Sequence, residues 1–213
     1  MRQILCFGDS NTFGSIPGGG RYPREIRWPG QLQSLLDDDF YVIEEGMGGR
    51  TTVWDDPTEP YRSGIRALPI SLHTHSPLSL IVLSLGTNDC KSYINVSPAA
   101  IAKGIEHLCK TVQQFDYGVK YSKPDILLVS PIHIGEGVAD NPLSIFDELS
   151  VRKSQALAPL YRTIADNLGC FFLDASKVSQ ASSIDKLHMD EEGHTCLAEA
   201  IYESVSVIFG TKI

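Results

Sequence analysis

The segment Ile4-Leu5-Cys6-Phe7-Gly8-Asp9-Ser10-Asn11-Thr12-Phe13-Gly14 decides how the rest of the chain is read. Residues 4–7 are apolar without alternation, the pattern of a strand buried on both faces of a sheet. The strand runs straight into Gly-Asp-Ser, residue types that favour turns and helix caps. Apolar runs of strand length recur at residues 41–43, 80–85, 126–129 and 170–173. Helical faces lie between them. Ile101, Ile105, Leu108, Val112 and Phe115 share one stripe, with Ser97-Pro98 as cap and first position. Leu157, Leu160, Ile164 and Leu168 make a second, in which Pro159 is expected to kink the helix. Leu197, Ile201, Val205 and Ile208 make a third, and a shorter helix is expected over residues 30–36. Strands alternating with helices predict an α/β fold, three layers (α/β/α) around a mostly parallel five-stranded sheet, in one domain over residues 1–213.

In such sheets ligands bind beyond the carboxyl ends of the strands. The loops after Phe7, Ile43, Leu85, Val129 and Leu173 are therefore the ones to search. Two connections are long. Residues 52–77 hold four prolines and no clear periodicity, and residues 131–144 carry Gly135, Gly137 and Pro142. Loops of that length act as covers or contact surfaces.

Composition excludes several classes. The chain has 213 residues, 42% apolar and 21% charged, with 18 basic against 26 acidic side chains and a net charge of −8. An acidic balance without a basic cluster argues against nucleic acid as a partner. No apolar stretch approaches membrane-spanning length, so no membrane partner is expected. The five cysteines, Cys6, Cys90, Cys109, Cys170 and Cys196, form no C-x-x-C pair. Cys6 and Cys170 sit in apolar runs and fit small core residues, and the set as a whole fits a reducing compartment. The chain enters its first strand at once, leaving no room for a signal peptide. A cytoplasmic location is expected.

Four places carry side chains suited to acyl transfer. Ser10 ends the first strand, where a following helix would point its N-terminus at the serine oxygen. Gly49, in Glu44-Glu45-Gly46-Met47-Gly48-Gly49-Arg50-Thr51-Thr52, can bring a backbone N–H close to a ligand. Asn88, in Leu85-Gly86-Thr87-Asn88-Asp89, can offer a side-chain N–H₂ to a developing oxyanion. Asp185-Lys186-Leu187-His188 can turn so that the carboxylate orients the imidazole for proton abstraction. Each has an ordinary alternative: a helix cap for Ser10, a flexible turn for Gly49, a capped turn for Asn88, a solvated pair for Asp185 and His188. Together they supply nucleophile, base, orienter and oxyanion donors.

The order of these blocks resembles the SGNH, or GDSL-type, hydrolase superfamily: Ser10 in Gly8-Asp9-Ser10, Gly49 in Gly48-Gly49-Arg50-Thr51, Asn88 in Gly86-Thr87-Asn88-Asp89, and Asp185 with His188. Arg27-Trp28, Val42-Ile43-Glu44-Glu45-Gly46 and Asp55-Asp56-Pro57-Thr58 are further similar to the bacterial arylesterase/acyltransferase branch, which includes perhydrolase-like enzymes. The resemblance implies a flavodoxin-like sheet and a serine esterase acting on short-chain, acetyl-type esters, aryl esters included. It implies a triad of Ser10, His188 and Asp185 and an oxyanion hole of the Ser10 and Gly49 N–H groups with the Asn88 amide. It also implies no metal, no cofactor, homo-oligomers, and acyl transfer to alcohols or peroxide beside hydrolysis. The chain departs from that branch, which usually has a bulky residue and then Thr-Trp after the serine, at Asn11-Thr12-Phe13, and also at Met47-Gly48-Gly49 and at Pro29, all beside the expected pocket.

Other residues take lesser roles. Asn11, Phe13, Trp28, Trp54, Ile132 and His133 are candidates to line the substrate pocket, and Lys91 and Tyr93 to border its mouth. Asp9 is expected to be a turn residue, His194 to sit on the terminal helix, and His73 and His75 to lie in the long loop, two histidines being too few for a metal. Three alternatives stay open. One is a deacetylase of acetylated sugars within the same superfamily. Another is a flavodoxin-like binding module without catalysis. The third is an interaction protein that assembles through its proline-rich loop.

Overall fold

The computed structural model describes residues 1–210; the last three residues of the expected domain lie outside the described residues. Five parallel strands form one sheet: β1 (Arg2–Gly8), β2 (Phe40–Gly46), β3 (Leu80–Ser84), β4 (Asp125–Ser130) and β5 (Phe171–Asp174). Their order is β2-β1-β3-β4-β5, the flavodoxin-like winding. The helices are α1 (Ser10–Phe13), α2 (Trp28–Leu35), α3 (Gly64–His75), α4 (Pro98–Gln114), α5 (Glu148–Gln155), α6 (Leu157–Leu168) and α7 (Glu191–Phe209).

Alternation along β1 sends side chains to two cores. Leu5 and Phe7 join Leu68, Leu72, Ile101, Ile105, Leu108 and Tyr161 on one face, under α3, α4 and α6. Ile4 and Cys6 join Trp28, Leu32, Leu197, Ile201 and Val205 on the other, under α2 and α7. Both cores are needed because a parallel sheet covered on two sides leaves no wet face. The expected stripes of α4 and α7 are buried apart from their half-buried last members, Phe115 and Ile208, whereas α6 buries Leu157, Tyr161 and Ala165 and leaves Leu160, Ile164 and Leu168 of its expected stripe half-buried. Ser97 caps α4, its hydroxyl accepting from the Ala100 N–H, with Pro98 in the first turn.

Three expectations are corrected. Residues 52–77 are not loop throughout, since α3 occupies Gly64–His75 with Leu68 and Leu72 buried and Pro69 inside the helix. Its apolar face is short and interrupted by the proline, which hides the period. His73 and His75 consequently sit in the last turn of a helix. Pro159 does not kink the second stripe; it lies in the first turn of α6, where a missing N–H costs no internal hydrogen bond. The chain instead breaks before it, at Ala156 between α5 and α6. Helix α5 offered no apolar stripe to read; its start is fixed by a capping box between Asp147 and Ser150.

The register aligns Gly8 of β1 with Gly46 of β2 and with Ser84 of β3. The carboxyl ends of three neighbouring strands therefore finish level. Ser10, Gly49 and Asn88 follow those ends, at the switch point where the chain winds to either side of β1.

Candidate active site

Ser10 opens the single turn of α1 and is 7% exposed. Asp9 caps that turn, its carboxylate accepting from the Asn11 N–H at 3.0 Å. Burial pushes the Asp9 carboxyl up, against the Asn11 donor. The turn rests directly on the ends of β1 and β2. A Cβ on Gly8 would meet the Thr12 hydroxyl at 2.0 Å, and one on Gly46 would meet the Phe13 nitrogen at 2.2 Å. Two glycines thus let the serine turn settle onto the strand ends.

Gly49 adopts φ +75°, the left-handed region. The next residue fixes its loop. Arg50 is buried, donates to the Gly8 carbonyl at 2.9 Å and to the Glu45 carbonyl, and lies 4.1 Å from the centre of the Phe7 ring. Burial lowers its guanidinium to about 10, with Glu45 opposing. Asn88 is buried on the turn after β3, and its side-chain amide donates to the Arg50 carbonyl at 3.1 Å. An amide carries two N–H groups, so this bond leaves one free to face a ligand. Asp89 ties the same two loops, accepting the Thr52 N–H at 3.0 Å and the Thr52 hydroxyl at 2.5 Å.

Asp89 is fully buried, and burial raises its carboxyl to about 7 despite the Thr52 donors. The folded protein therefore holds a proton that the unfolded chain releases near pH 4. Stability falls as pH rises from there through about 7. Asp89→Asn has no such proton to lose, so its melting temperature relative to wild type should be higher at pH 8 than at pH 4.5. A difference that stays constant with pH would refute this.

Asp185 and His188 meet as the spacing predicts. Asp185 Oδ2 lies 2.6 Å from His188 Nδ1, while Oδ1 accepts the N–H groups of Leu187 at 3.0 Å and His188 at 2.9 Å. Burial alone would raise the Asp185 carboxyl, but these donors outweigh it and lower it to about 2. Lys186 takes φ +61°, which closes the turn. The loop is fastened at several points. Ser182 N–H donates to the His188 carbonyl at 2.7 Å, and Gly135 N–H donates to the Lys186 carbonyl at 2.7 Å. The second long connection therefore supports the turn that carries His188.

Several expected pocket residues are employed elsewhere. Trp28 is fully buried in the α2–α7 core and lines no open pocket, because a large apolar side chain at the start of a buried helix is taken by the core. Ile132 is buried in that core too, beside Asp9 and Asn11. Asn11 is 8% exposed and turns both ends of its amide onto the His188 loop. Phe13 remains half-buried under the Arg21 guanidinium, 3.9 Å from its ring centre. Trp54 is also half-buried, its carbonyl accepting from the Thr51 hydroxyl. His133 is half-buried. Lys91 does not border a mouth. It is buried and paired with Asp56 at 2.7 Å and Glu59 at 3.0 Å, since an ammonium out of water must be paired. Tyr93 donates to the same Asp56.

A groove of about 760 Å³, which periodicity could not reveal, runs along the Asp185 turn, lined by Val138, Ile145, Phe146, Ile184 and Leu187. His194 lies on α7, as expected. Burial lowers its imidazole to about 4, and its Nδ1 accepts the Trp28 N–H at 3.3 Å. His75 pairs with Glu45. Among the described residues, no three His, Cys, Asp or Glu side chains are grouped to hold a metal ion. Among them, too, no helix is long and apolar enough to cross a membrane.

Known proteins share this frame. The model of the GDSL-like Lipase/Acylhydrolase family matches residues 6–196. A carbohydrate acetylesterase from Sinorhizobium meliloti is 36% identical, with 98% of this chain and 100% of that one covered and a TM-score of 0.93. A carbohydrate acetylesterase family member from the same organism is 40% identical over 99% and 100%, with a TM-score of 0.93. The aryl esterase of M. smegmatis is 37% identical over 97% and 99%, with a TM-score of 0.91. No curated protein matches the chain. Sheet order, strand-end residues and family model agree: the chain belongs to the GDSL-like Lipase/Acylhydrolase family and is a carboxylic ester hydrolase.

Proposed function

We propose that this protein hydrolyses short-chain, acetyl-type carboxylic esters, aryl esters among them, through a Ser10–His188–Asp185 triad. The observation that carries the reading is the 2.6 Å pairing of Asp185 with His188 Nδ1. That bond leaves Nε2 as the basic nitrogen of the neutral ring. His188 takes the Ser10 proton as Ser10 Oγ attacks the ester carbonyl. The oxyanion that forms is held by the N–H groups of Ser10 and Gly49 and by the free N–H of the Asn88 amide. His188 returns the proton to the departing alcohol, leaving an acyl-serine. Water, activated by the same imidazole, attacks it and releases the acid. An alcohol or peroxide in place of water yields acyl transfer.

Asn88→Ala should lower kcat on p-nitrophenyl acetate about 10²- to 10³-fold with little change in KM, since the donor acts on the oxyanion rather than on the ground state. Equal losses in both parameters would remove Asn88 from the hole. A panel of acetyl, butyryl and octanoyl p-nitrophenyl esters tests the substrate class. Rates should fall with acyl length, and octanoyl turnover matching acetyl would overturn the short-chain reading.

A second reading is a deacetylase of acetylated sugars, favoured by the likeness to the Sinorhizobium meliloti carbohydrate acetylesterase. An acetylated-xylose or acetylated-glucose substrate turned over faster than aryl acetate would select it. The groove beside Asp185, with apolar side chains along its wall, suits an uncharged alcohol portion in either case. We further propose that the whole chain is one hydrolase domain, that it assembles with copies of itself, and that it works in the cytoplasm. The five free cysteines support a reducing compartment.

A further inference from the structure

We propose that Asn11 is a positioning residue that fixes the distance between Ser10 and His188; the inference rests on the triad reading above. Asn11 follows Ser10 directly, and its backbone is held by the Asp9 cap. Its side chain then reaches a loop 178 positions away. Oδ1 accepts the Met189 N–H at 3.0 Å, and Nδ2 donates to the Leu187 carbonyl at 3.3 Å. These are the two backbone groups that flank His188.

In an extended chain, the carbonyl of one residue and the N–H two residues on point the same way, and a neighbouring parallel strand binds both with the N–H and the carbonyl of a single residue. The Asn11 amide supplies the same pair of groups, a donor and an acceptor side by side. The hydrogen-bond pattern also assigns the amide, since oxygen faces an N–H and nitrogen faces a carbonyl. Aspartate lacks the donor, leucine lacks both ends, and glutamine is longer by a methylene.

The remaining bonds that fasten the His188 loop come from Asp185, Ser182 and Gly135, none of them on the serine turn. They fix the internal shape of the loop. Asn11 joins that shape to the element that carries the nucleophile. Proton transfer from serine to imidazole needs heavy atoms roughly 2.6–3.2 Å apart, and a shift of about 1 Å at a reacting group can cost about 10²-fold. Asn11 therefore acts through placement of the base, not through contact with substrate.

Asn11→Leu and Asn11→Ala test this, the second in case leucine overfills the site. Four readouts are needed: kcat and KM on p-nitrophenyl acetate, the rate at which a fluorophosphonate probe labels Ser10, melting temperature, and the downfield proton NMR signal of the Asp185–His188 hydrogen bond. Both variants should lose about 10- to 100-fold in kcat and in labelling rate. KM should stay within about twofold, and the downfield proton should persist, because the Asp185 turn closes on itself. Variants that keep wild-type kcat and labelling overturn the proposal. So do variants that lose the downfield proton together with activity, for Asn11 would then only hold the loop folded. Wild-type protein that the probe does not label at Ser10 overturns the nucleophile assignment instead, and this inference with it.

Discussion

Ser10→Ala should abolish hydrolysis of p-nitrophenyl acetate, with kcat falling by about 10⁴-fold or more, while the protein folds as before. The fall is large because alanine removes the only atom that bonds to the acyl group. What survives is the hole formed by Gly49 and Asn88 acting on a water molecule, which typically leaves about 10³-fold over the uncatalysed reaction. Folding survives for a separate reason. Ser10 holds its turn through its main chain, its carbonyl accepting the Gly14 N–H at 2.9 Å and the Ser15 N–H at 3.0 Å. Alanine keeps both bonds, and the Asp9 cap is untouched. The melting temperature should move by only a few degrees, as for a change of about 1 kcal/mol or less. Turnover near the wild-type rate in a folded variant would sink the assignment; loss of activity with loss of folding would require Ser10→Cys or Ser10→Thr to decide it.

How far the site was legible depends on where each interaction is encoded. The pairing of Asp185 with His188 is local: three positions separate them, so spacing alone predicts contact once the segment turns. The strands are also local signals, and β1, β3 and β4 are apolar on both faces because both faces are covered. The ties between loops are not local. Arg50 reads in the sequence as a charge in a glycine-rich turn, yet it is buried against the Gly8 carbonyl. Lys91 and Asp56 are 35 positions apart, and nothing short-range marks them as a buried pair. Asn11 is one of the residues at which the chain departs from the arylesterase branch, and that departure is the sign in the sequence that it has a task. Its place beside Ser10 points to the pocket, whereas its geometry points to the His188 loop. Helix α3 was hidden by Pro69, and α5 by the lack of an apolar stripe.

Asp185→Asn should cost nearly as much activity as loss of the serine, about 10⁴-fold in kcat, with KM close to wild type. The carboxylate has two jobs, and asparagine keeps one. An amide oxygen at Oδ1 can still accept the Leu187 and His188 N–H groups, so the turn should close. At Oδ2, however, an N–H₂ group would now face His188 Nδ1. The ring must then present a lone pair there and carry its proton on Nε2, the nitrogen that has to accept the serine proton. The base is lost by tautomer while the fold remains. Stability gives a second, independent sign. The hydrogen bonds hold the Asp185 carboxyl near about 2 in the folded protein, against about 4 in an unfolded chain. Its contribution, on the order of 1–2 kcal/mol, is complete above about pH 4 and is lost as pH falls toward 2. Wild type should therefore exceed Asp185→Asn in unfolding free energy at pH 7, and the gap should narrow below about pH 4. A gap that widens on acidification, or a variant that keeps more than a tenth of wild-type kcat, would show that Asp185 does not orient His188.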